Sequence, residues 1–207
     1  VISPNWFYQW ASHFLEVKAV EVQLKKGFLP TEMNEFRYDI IIHIEKDISS
    51  YPILKWHNWQ KEIGGIENLI HYLISNQPAI LALSTIQNRR MAGLAELLYT
   101  YNDDLSSMTD WKTRIKKQQL VSIDPGDLVK IVWLYGYKVY LTWEYSEENK
   151  ANKNNEQQLP EFQISSELTY FKAILYKPEL FSEEAVAKAH YQENIKKIHN
   201  HDILINN

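Results

Sequence analysis

The chain has 207 residues, a net charge of −4, no cysteine, and 45% hydrophobic residues. That length suffices for a domain with its own core, and the hydrophobic content argues against disorder. The missing cysteine excludes disulfides, thiolate nucleophiles and cysteine-type zinc sites. The weak acidic charge gives no electrostatic reason to bind nucleic acid or an anionic membrane. Because the sequence shows neither a membrane-length apolar run nor a signal peptide, we expect a cytoplasmic protein.

The first part of the chain predicts a helix followed by a long antiparallel hairpin. Ser3 is a suitable N-cap, and Pro4 suits the first helical position. Apolar and polar residues alternate over Ala19–Lys25, which is typical of a half-exposed strand with Glu21 on its polar face. The same alternation over Phe36–Ile44 predicts the second strand.

The middle of the chain predicts alternating helices and strands. Residues 47–63 form a polar and aromatic connection with no clear periodicity. From Ile66 the apolar residues recur at helical spacing, and Ala79–Ile86 predicts a short buried strand. A helix capped by Gln87 or Asn88 is expected to run to Tyr101, and another to cover residues 106–119.

The last part predicts a helix between strands and a polar terminal helix. Asp124 and Pro125 form a strong helix start, and Gly136 suits the helix end. Strands are expected over Tyr137–Tyr145 and Leu168–Tyr176, separated by a polar loop at residues 146–163, and a helix begins near residue 182. Interleaved strands and helices with hairpins predict an α/β or α+β fold with a mixed sheet.

The sequence lacks the common motifs for phosphate binding and hydrolysis. It contains no G-x-G-x-x-G, no P-loop, no G-x-S-x-G and no H-E-x-x-H. The nearest approach to a metal-binding pattern is the run of two histidines and an aspartate at residues 199–202. Neighbouring residues near a terminus rarely converge on one ion, so we read this run as a solvated helix end and predict no metal site.

One stretch, Thr31–Ile41 (TEMNEFRYDII), is similar to a core motif of methyltransferase domains embedded in nonribosomal peptide synthetases. The family pattern has the form N-E-L-S-x-Y-R-Y-x-A-V. Glu32, Arg37 and Tyr38 match it directly, and Met33, Phe36 and the isoleucines at 40–41 match it in type. One departure is Thr31, where the family has asparagine.

Three further segments resemble the same family in the same order. Val20–Gly27 looks like the strand that leads into the motif. Ile86–Arg90 (IQNRR) resembles an isoleucine-proline-asparagine-alanine-arginine stretch, with Gln87 and Arg89 in place of proline and alanine. Ile123–Leu128 (IDPGDL) resembles a valine-aspartate-proline-glutamate-aspartate segment. The resemblance covers about residues 1–145.

The resemblance implies a class I methyltransferase fold, of which this chain would contain only the rear. Residues 1–45 would be the rear helix and last antiparallel hairpin. Residues 46–207 would be a C-terminal α+β extension leading toward an adenylation domain, either separate from 1–45 or packed with it. Since Val1 is not methionine and opens inside a helical pattern, we expect a fragment of a longer polypeptide.

The same resemblance suggests a cofactor for the parent domain and partners for this chain. The complete parent domain would bind S-adenosylmethionine, whereas this chain would bind no cofactor and would be inactive alone. Its partners would be the rest of the synthetase, namely the methyltransferase core and the adenylation and carrier-protein domains. The product would be a natural product of secondary metabolism.

Four residues are candidates for a role in the reaction. Glu32 is the candidate catalytic acid, which would orient or deprotonate a carrier-bound nucleophile; a solvated loop carboxylate is the alternative. Arg37, Tyr38 and Asn88 are candidate substrate-binding residues. Each has a structural alternative. Arg37 could instead form an ion pair with Asp39, and Tyr38 could instead lie in the core. Asn88 could instead cap a helix.

Two functions therefore remain open on the sequence. The chain is either the substrate-side part of a peptide synthetase methyltransferase domain or a noncatalytic structural or docking module of such a synthetase. The departure at Thr31 favours the second. A free-standing enzyme of another class is a distant third.

Overall fold

The computed structural model describes residues 4–11, 13–14, 16–17, 19–25, 27, 31, 37–44, 52–93, 96, 108–143 and 169–190. Within them lies one open six-stranded sheet of mixed direction, with helices beside it. The predicted mixed α/β arrangement is thereby confirmed. The predicted helix cap at residue 3, the loop at 146–163 and the histidine run at 199–202 lie outside the described residues.

The chain begins with the predicted helix and hairpin. Helix α1 (Pro4–Ala11) precedes strand β1 (Ala19–Leu24), which pairs antiparallel with strand β2 (Tyr38–His43). Their register places Leu24 opposite Tyr38. The hairpin predicted from the alternation is therefore confirmed.

The next segment forms a parallel crossover that the sequence did not reveal. Strand β3 (Trp56–Asn58) runs into a π-helix (Trp59–Ile63) and helix α2 (Ile66–Asn76), and strand β4 (Ile80–Gln87) returns parallel to β3. A three-residue strand is too short to show periodicity, so residues 47–63 were predicted only as a connection.

The remaining elements complete the sheet. A 3₁₀ turn (Arg89–Met91) follows β4, and residues 92, 93 and 96 are helical. Helix α3 (Met108–Val121) and helix α4 (Pro125–Trp133) precede strands β5 (Lys138–Trp143) and β6 (Tyr170–Tyr176). Residues 183–190 are helical again.

The sheet order is β2-β1-β5-β6-β4-β3, and a core lies on each face. The larger core packs the apolar face of the strands against α2, α4 and the π-helix; its fully buried members include Val22, Leu69, Leu83, Leu128 and Phe171. The smaller core lies under the helical residues 183–190 and includes Leu54, Ala82, Tyr140, Ile174 and Val186. In the described part of the chain, no helix is long and apolar enough to cross a bilayer.

Candidate functional site

Three of the four segments that resemble the synthetase family meet at one side chain, Arg90. Strand β4 ends at Gln87, and Asn88 then caps the 3₁₀ turn by accepting a hydrogen bond from the backbone N–H of Arg90 at 3.1 Å. This turn directs the Arg90 side chain toward the start of α4 and the end of β1. Its side chain is 5% exposed, so its charge needs partners inside the protein.

Arg90 donates hydrogen bonds from its guanidinium to oxygen atoms of two other segments that resemble the family. Nε and Nη2 donate to the two carboxylate oxygens of Asp124, both at 2.9 Å. Nη1 donates to the carbonyl of Lys25 at 3.1 Å, and Nη2 also donates to the carbonyl of Gly27 at 2.6 Å. The planar guanidinium favours such bidentate pairing with a carboxylate. We call Arg90 with Asp124, Lys25 and Gly27 the arginine hub.

Asp124 performs two tasks in the hub. Its carboxylate pairs with Arg90 and also accepts a hydrogen bond from the backbone N–H of Gly126 at 2.7 Å, which caps α4. Burial alone would raise the pKa of Asp124, but the bonds and charge of Arg90, with the backbone N–H groups of α4, outweigh it and lower the pKa. The carboxylate is therefore held ionised beside the guanidinium.

Backbone hydrogen bonds join the segments Ile86–Arg90 and Ile123–Leu128 beside the hub. The Arg89 N–H donates to the Ile123 carbonyl at 3.0 Å, and the Ile123 N–H donates to the Gln87 carbonyl at 2.9 Å. Asn88 lies between them, 1% exposed, and its N–H donates to the Thr169 carbonyl at 2.8 Å. These bonds tie the end of β4 to the start of α4.

A second polar cluster surrounds Glu21 on the opposite face of the sheet. The Glu21 side chain is 3% exposed. It accepts hydrogen bonds from the Tyr140 hydroxyl at 2.8 Å and the Gln23 amide at 3.0 Å, and its other oxygen lies 2.6 Å from His43 Nε2. Burial, then the charge of Glu21 and the hydrogen bond to it, raises the pKa of Tyr140, so its hydroxyl remains a donor.

The Glu21 cluster corrects the expectation of a half-exposed strand. The alternation in β1 placed Glu21 on a solvent-exposed face, but that residue is buried. Burial of a carboxylate is offset by hydrogen bonds from polar partners. Two of these partners, Tyr140 and His43, lie on β5 and β2. Alternation within a single strand carries no information about them.

The predicted site residues do not all meet in the described structure. Glu32 lies outside the described residues. Arg37 is exposed, and Asp39, its predicted ion-pair partner, forms an ion pair with Lys25 on the neighbouring strand. Tyr38 lies on the apolar face, where its ring is 6.5 Å from that of Trp143.

The remaining predicted residue, Asn88, lies within hydrogen-bonding distance of the hub. Its capping role is confirmed, although it is buried and not on the surface. Its predicted role in substrate binding, like those of Arg37 and Tyr38, stays a prediction. Asp124 was predicted as a helix cap, and Arg90 appeared only within a segment that resembles the family; the shared resemblance of their two segments was the one signal for the hub.

The one glycine pair, Gly64-Gly65, stands before α2, but its turn is closed by the chain itself: the Gly64 N–H donates to the Trp59 carbonyl at 2.7 Å, and the Asn68 amide donates to the Ile63 carbonyl at 2.8 Å. An open glycine-rich turn after a strand is what a nucleoside cofactor needs. Within the same described ranges, no group of three or more histidine, aspartate or glutamate side chains could hold a metal ion.

The described residues thus form a mixed α/β fold that contains these two buried polar clusters. No family model matches the chain. It is 25% identical over 154 residues to the nonribosomal peptide synthetase kk1B of Curvularia clavata and 27% identical over 158 residues to the nonribosomal peptide synthetase penN of Penicillium thymicola, covering 69% of this chain in each case. It is also 27% identical over 119 residues, 55% of the chain, to the chondramide synthase cmdD of Chondromyces crocatus.

These matches occupy a small part of each relative. They cover 1%, 6% and 3% of the lengths of kk1B, penN and cmdD, in that order. At this low identity they relate the chain to one part of a peptide synthetase. They assign no reaction to that part.

Proposed function

We propose that the chain is the C-terminal, substrate-side part of a peptide synthetase methyltransferase domain, which methylates a carrier-bound aminoacyl or peptidyl group when complete. The observation that carries the proposal is the arginine hub. Three segments that resemble the family, separated by up to about a hundred residues in sequence, supply Arg90, Asp124 and the carbonyls of Lys25 and Gly27. The similarity to kk1B, cmdD and penN supports the coarser part of the proposal, that the chain is part of a peptide synthetase.

In this proposal the β1–β2 hairpin is the last hairpin of a class I methyltransferase sheet. Its position at one end of the sheet order supports that assignment. S-adenosylmethionine, when bound to the complete domain, supplies an electrophilic methyl group. We assign the described residues no role in holding the cofactor.

The proposed role of this chain is to hold the acceptor and remove its proton. A carrier-bound amine in its protonated form must lose that proton before its nitrogen can attack the methyl group, and a positioned carboxylate that accepts the proton increases the rate of such a step by about 10²–10⁴-fold. Glu32 is the proposed base, because it matches the glutamate of the family motif. Positioning of the acceptor contributes through proximity.

The test is a methyl-transfer assay with the protein that carries this chain, a loaded carrier domain and methyl-labelled S-adenosylmethionine. Glu32→Gln should lower the turnover rate by at least about 10²-fold. Glu35→Gln, in the same segment, is the matched control and should leave the rate unchanged. Equal rates for Glu32→Gln and wild type would remove Glu32 from the mechanism, and no methylation by the wild type would refute the proposed function.

The alternative, a noncatalytic structural or docking module, has one structural observation in its favour. The hydrogen bonds of Arg90 and Asp124 described above are all made to groups of this chain, so the hub serves the fold. Under this alternative the wild type transfers no methyl group, yet disrupting the hub lowers the amount of peptide product. Product analysis beside the methylation assay therefore separates the two functions.

The chain alone is expected to bind no S-adenosylmethionine. This follows from the closed Gly64-Gly65 turn and from the assignment of the cofactor to the rest of the parent domain. Titration calorimetry with the 207-residue chain should detect no saturable heat at micromolar concentrations. A stoichiometric complex would move cofactor binding into this chain and redraw its boundary within the domain.

A further inference from the structure

Helix α3 is attached to the rest of the protein by one of its faces. The Ile115 side chain lies against Gly93, where a Cβ atom would be 3.9 Å from Cδ1 of Ile115. The Gln118 side chain accepts a hydrogen bond from the amide of Gln87, the last residue of β4. Residues three positions apart are neighbours on a helix, so Ile115 and Gln118 define one inner face of α3.

The opposite, outer face of α3 is exposed and carries a row of cations. Lys112, Lys116 and Leu120 follow one another at intervals of four residues, so their side chains form one row along the helix. Lys117 and Val121 form a second row beside it. All three lysines are exposed, Leu120 is 84% exposed and Val121 is 65% exposed. We call these five residues the basic face.

The charges of the basic face do not serve the stability of α3. Arg114, on the same helix, forms an ion pair with the buried Glu96 at 3.6 Å. Lys112, Lys116 and Lys117 form no ion pair with another residue of the described ranges. Like charges four positions apart on a helix repel each other and destabilise it. The basic face therefore directs its charge to the solvent and to whatever docks there.

An acidic protein surface with an apolar centre complements this face. Its carboxylates would meet the three lysines, and its apolar side chains would cover Leu120 and Val121. An anionic membrane fits less well, because segments that bind such lipids carry about 4–8 basic residues. The net charge of −4 on the whole chain also opposes the approach of a lipid surface or a nucleic acid.

The composition of the face suits a partner that arrives and leaves. Permanent interfaces are predominantly apolar, whereas complementary charges mainly accelerate encounter and select the partner. Under the proposed function, one domain must come and go with each turnover, namely the carrier-protein domain that brings the acceptor. The three synthetases are far longer than the segments matched here, which cover at most 6% of each.

We propose that the basic face of α3 is the docking surface for an acidic face of the carrier-protein domain. The choice of the carrier as partner rests on the proposed function, whereas the charge and exposure of the face do not. Helix α3 ends at Val121, three residues before Asp124 of the arginine hub. Its inner face contacts Gln87, which adjoins the turn that contains Arg90. A carrier on α3 would therefore sit beside the segments that resemble the family.

The proposal is tested by the binding of the purified, loaded carrier domain to the protein that carries this chain. Lys112→Glu combined with Lys116→Glu should slow association at least about tenfold at low salt and remove most of the salt dependence. Lys61→Glu combined with Lys138→Glu is the matched control. Both control lysines are exposed on other elements, and the two double variants change the net charge equally. The control should alter the association rate less than about twofold.

The apolar part of the face has its own variant. Leu120→Ser should accelerate dissociation of the carrier at least about threefold, because short-range contacts act mainly on the dissociation rate. Leu180→Ser is its control, since Leu180 is 58% exposed and follows β6. Thermal unfolding checks that each variant is folded. Should the glutamate pair unfold early, Lys112→Gln with Lys116→Gln removes the charges more gently and should still slow association several-fold.

Three results would overturn the proposal. One is a wild type that does not bind the carrier, and another is equal slowing by the two glutamate double variants, which would mean that only net charge matters. The third is normal carrier binding by Lys112→Glu with Lys116→Glu while binding to phosphatidylserine vesicles or self-association is lost. That result would assign the basic face to a lipid surface or to a second copy of the chain.

An activity measurement separates docking from the reaction itself. In the methyl-transfer assay, Lys112→Glu with Lys116→Glu should raise KM for the loaded carrier at least about tenfold and leave kcat unchanged, because docking precedes the chemical step. A lowered kcat at unchanged KM would contradict a docking role. A wild type that binds the carrier through α3 but transfers no methyl group would refute the proposed function and leave the docking surface in place.

Discussion

At the scale of single residues, Arg89 and Arg90 are adjacent in sequence but have very different surroundings. Arg90 is buried and makes charge-assisted bonds to Asp124 and two carbonyls. Arg89 is 43% exposed; it donates to the Ser122 carbonyl and lies 3.4 Å from Asp127. The dipeptide therefore supplies its own matched control.

Arg90→Met should lower the free energy of unfolding by about 3 kcal/mol, because it leaves a partly buried carboxylate and two carbonyls without their donor. Arg89→Met should cost less than about 1 kcal/mol, as expected for an exposed ion pair. Urea denaturation followed by tryptophan fluorescence measures both. Equal losses would mean that the hub is no more important to stability than a surface contact.

Asp124 makes the stability of the protein depend on pH in the acid range. Its pKa is lowered in the folded state, so its contribution to stability is present above the unfolded value near 4 and is lost as the pH falls through the folded value. The difference in unfolding free energy between wild type and Asp124→Asn should therefore shrink as the pH is reduced from 6 to 2.

A control for this pH dependence is Asp127→Asn. The Asp127 carboxylate is half exposed and makes only longer contacts, at 3.4 Å with Arg89 and 4.0 Å with Lys130. Its difference from wild type should be small throughout the same range. A constant difference for Asp124→Asn from pH 6 to pH 2 would contradict a lowered pKa at that residue.

At the scale of elements, the end of α4 depends on the backbone of Gly136. This residue has φ +81°, in the left-handed region that favours glycine, and a Cβ added there would meet no atom within 4 Å. Any cost of substitution is therefore conformational and not steric contact with neighbours. The helix prediction placed a left-handed cap at this position, and the structure confirms it.

Gly136→Ala should destabilise the protein by about 1 kcal/mol through its backbone conformation. Gly136→Asn should cost less, since asparagine tolerates the left-handed region better than alanine does. Thermal unfolding of the two variants measures the difference. An alanine variant as stable as the asparagine variant would show that the turn relaxes to negative φ.

Elements with local signals were predictable, and contacts between distant elements were not. The cap at Asp124 with Pro125, the helical spacing from Ile66 and the alternation in β1 and β2 all lie within short windows of sequence, and the structure contains each element. Strand β3 has only three residues and takes its identity from pairing with β4, so no window could reveal it. The burial of Glu21 likewise depends on strands β2 and β5.

At the scale of the whole molecule, the order of the strands explains why the candidate residues are held together or apart. Strand β5 follows β1 in the sheet although more than a hundred residues separate them in sequence. This nonlocal pairing brings the hairpin, β4 and α4 to the arginine hub. The predicted division at residue 45 stays a prediction, but both sides of it contribute strands to this one sheet.

Among the strands that the structure describes, the same order leaves β2 as an outermost one. Among the described residues near this edge, Ile41 and Ile42 are about 40% exposed and Ile44 is 64% exposed. An outer strand with apolar side chains is a template for pairing with another chain. The described C-terminal helical residues, 183–190, pack in the smaller core, which contains no residue of β2.

We therefore expect the 207-residue chain to self-associate through β2. Covering even about 200 Å² of apolar surface corresponds to roughly 5 kcal/mol before the cost of association. The double variant Ile42→Lys, Ile44→Lys should raise the dissociation constant of the self-associated form by at least about tenfold, because a lysine at an edge strand opposes pairing. Ile53→Lys is the control, since Ile53 is 94% exposed beside the opposite edge strand, β3. Sedimentation over a range of concentrations measures the self-association of each variant. A monomeric wild type, or a self-association weakened by Ile53→Lys alone, would show that β2 is not the edge through which the chain associates.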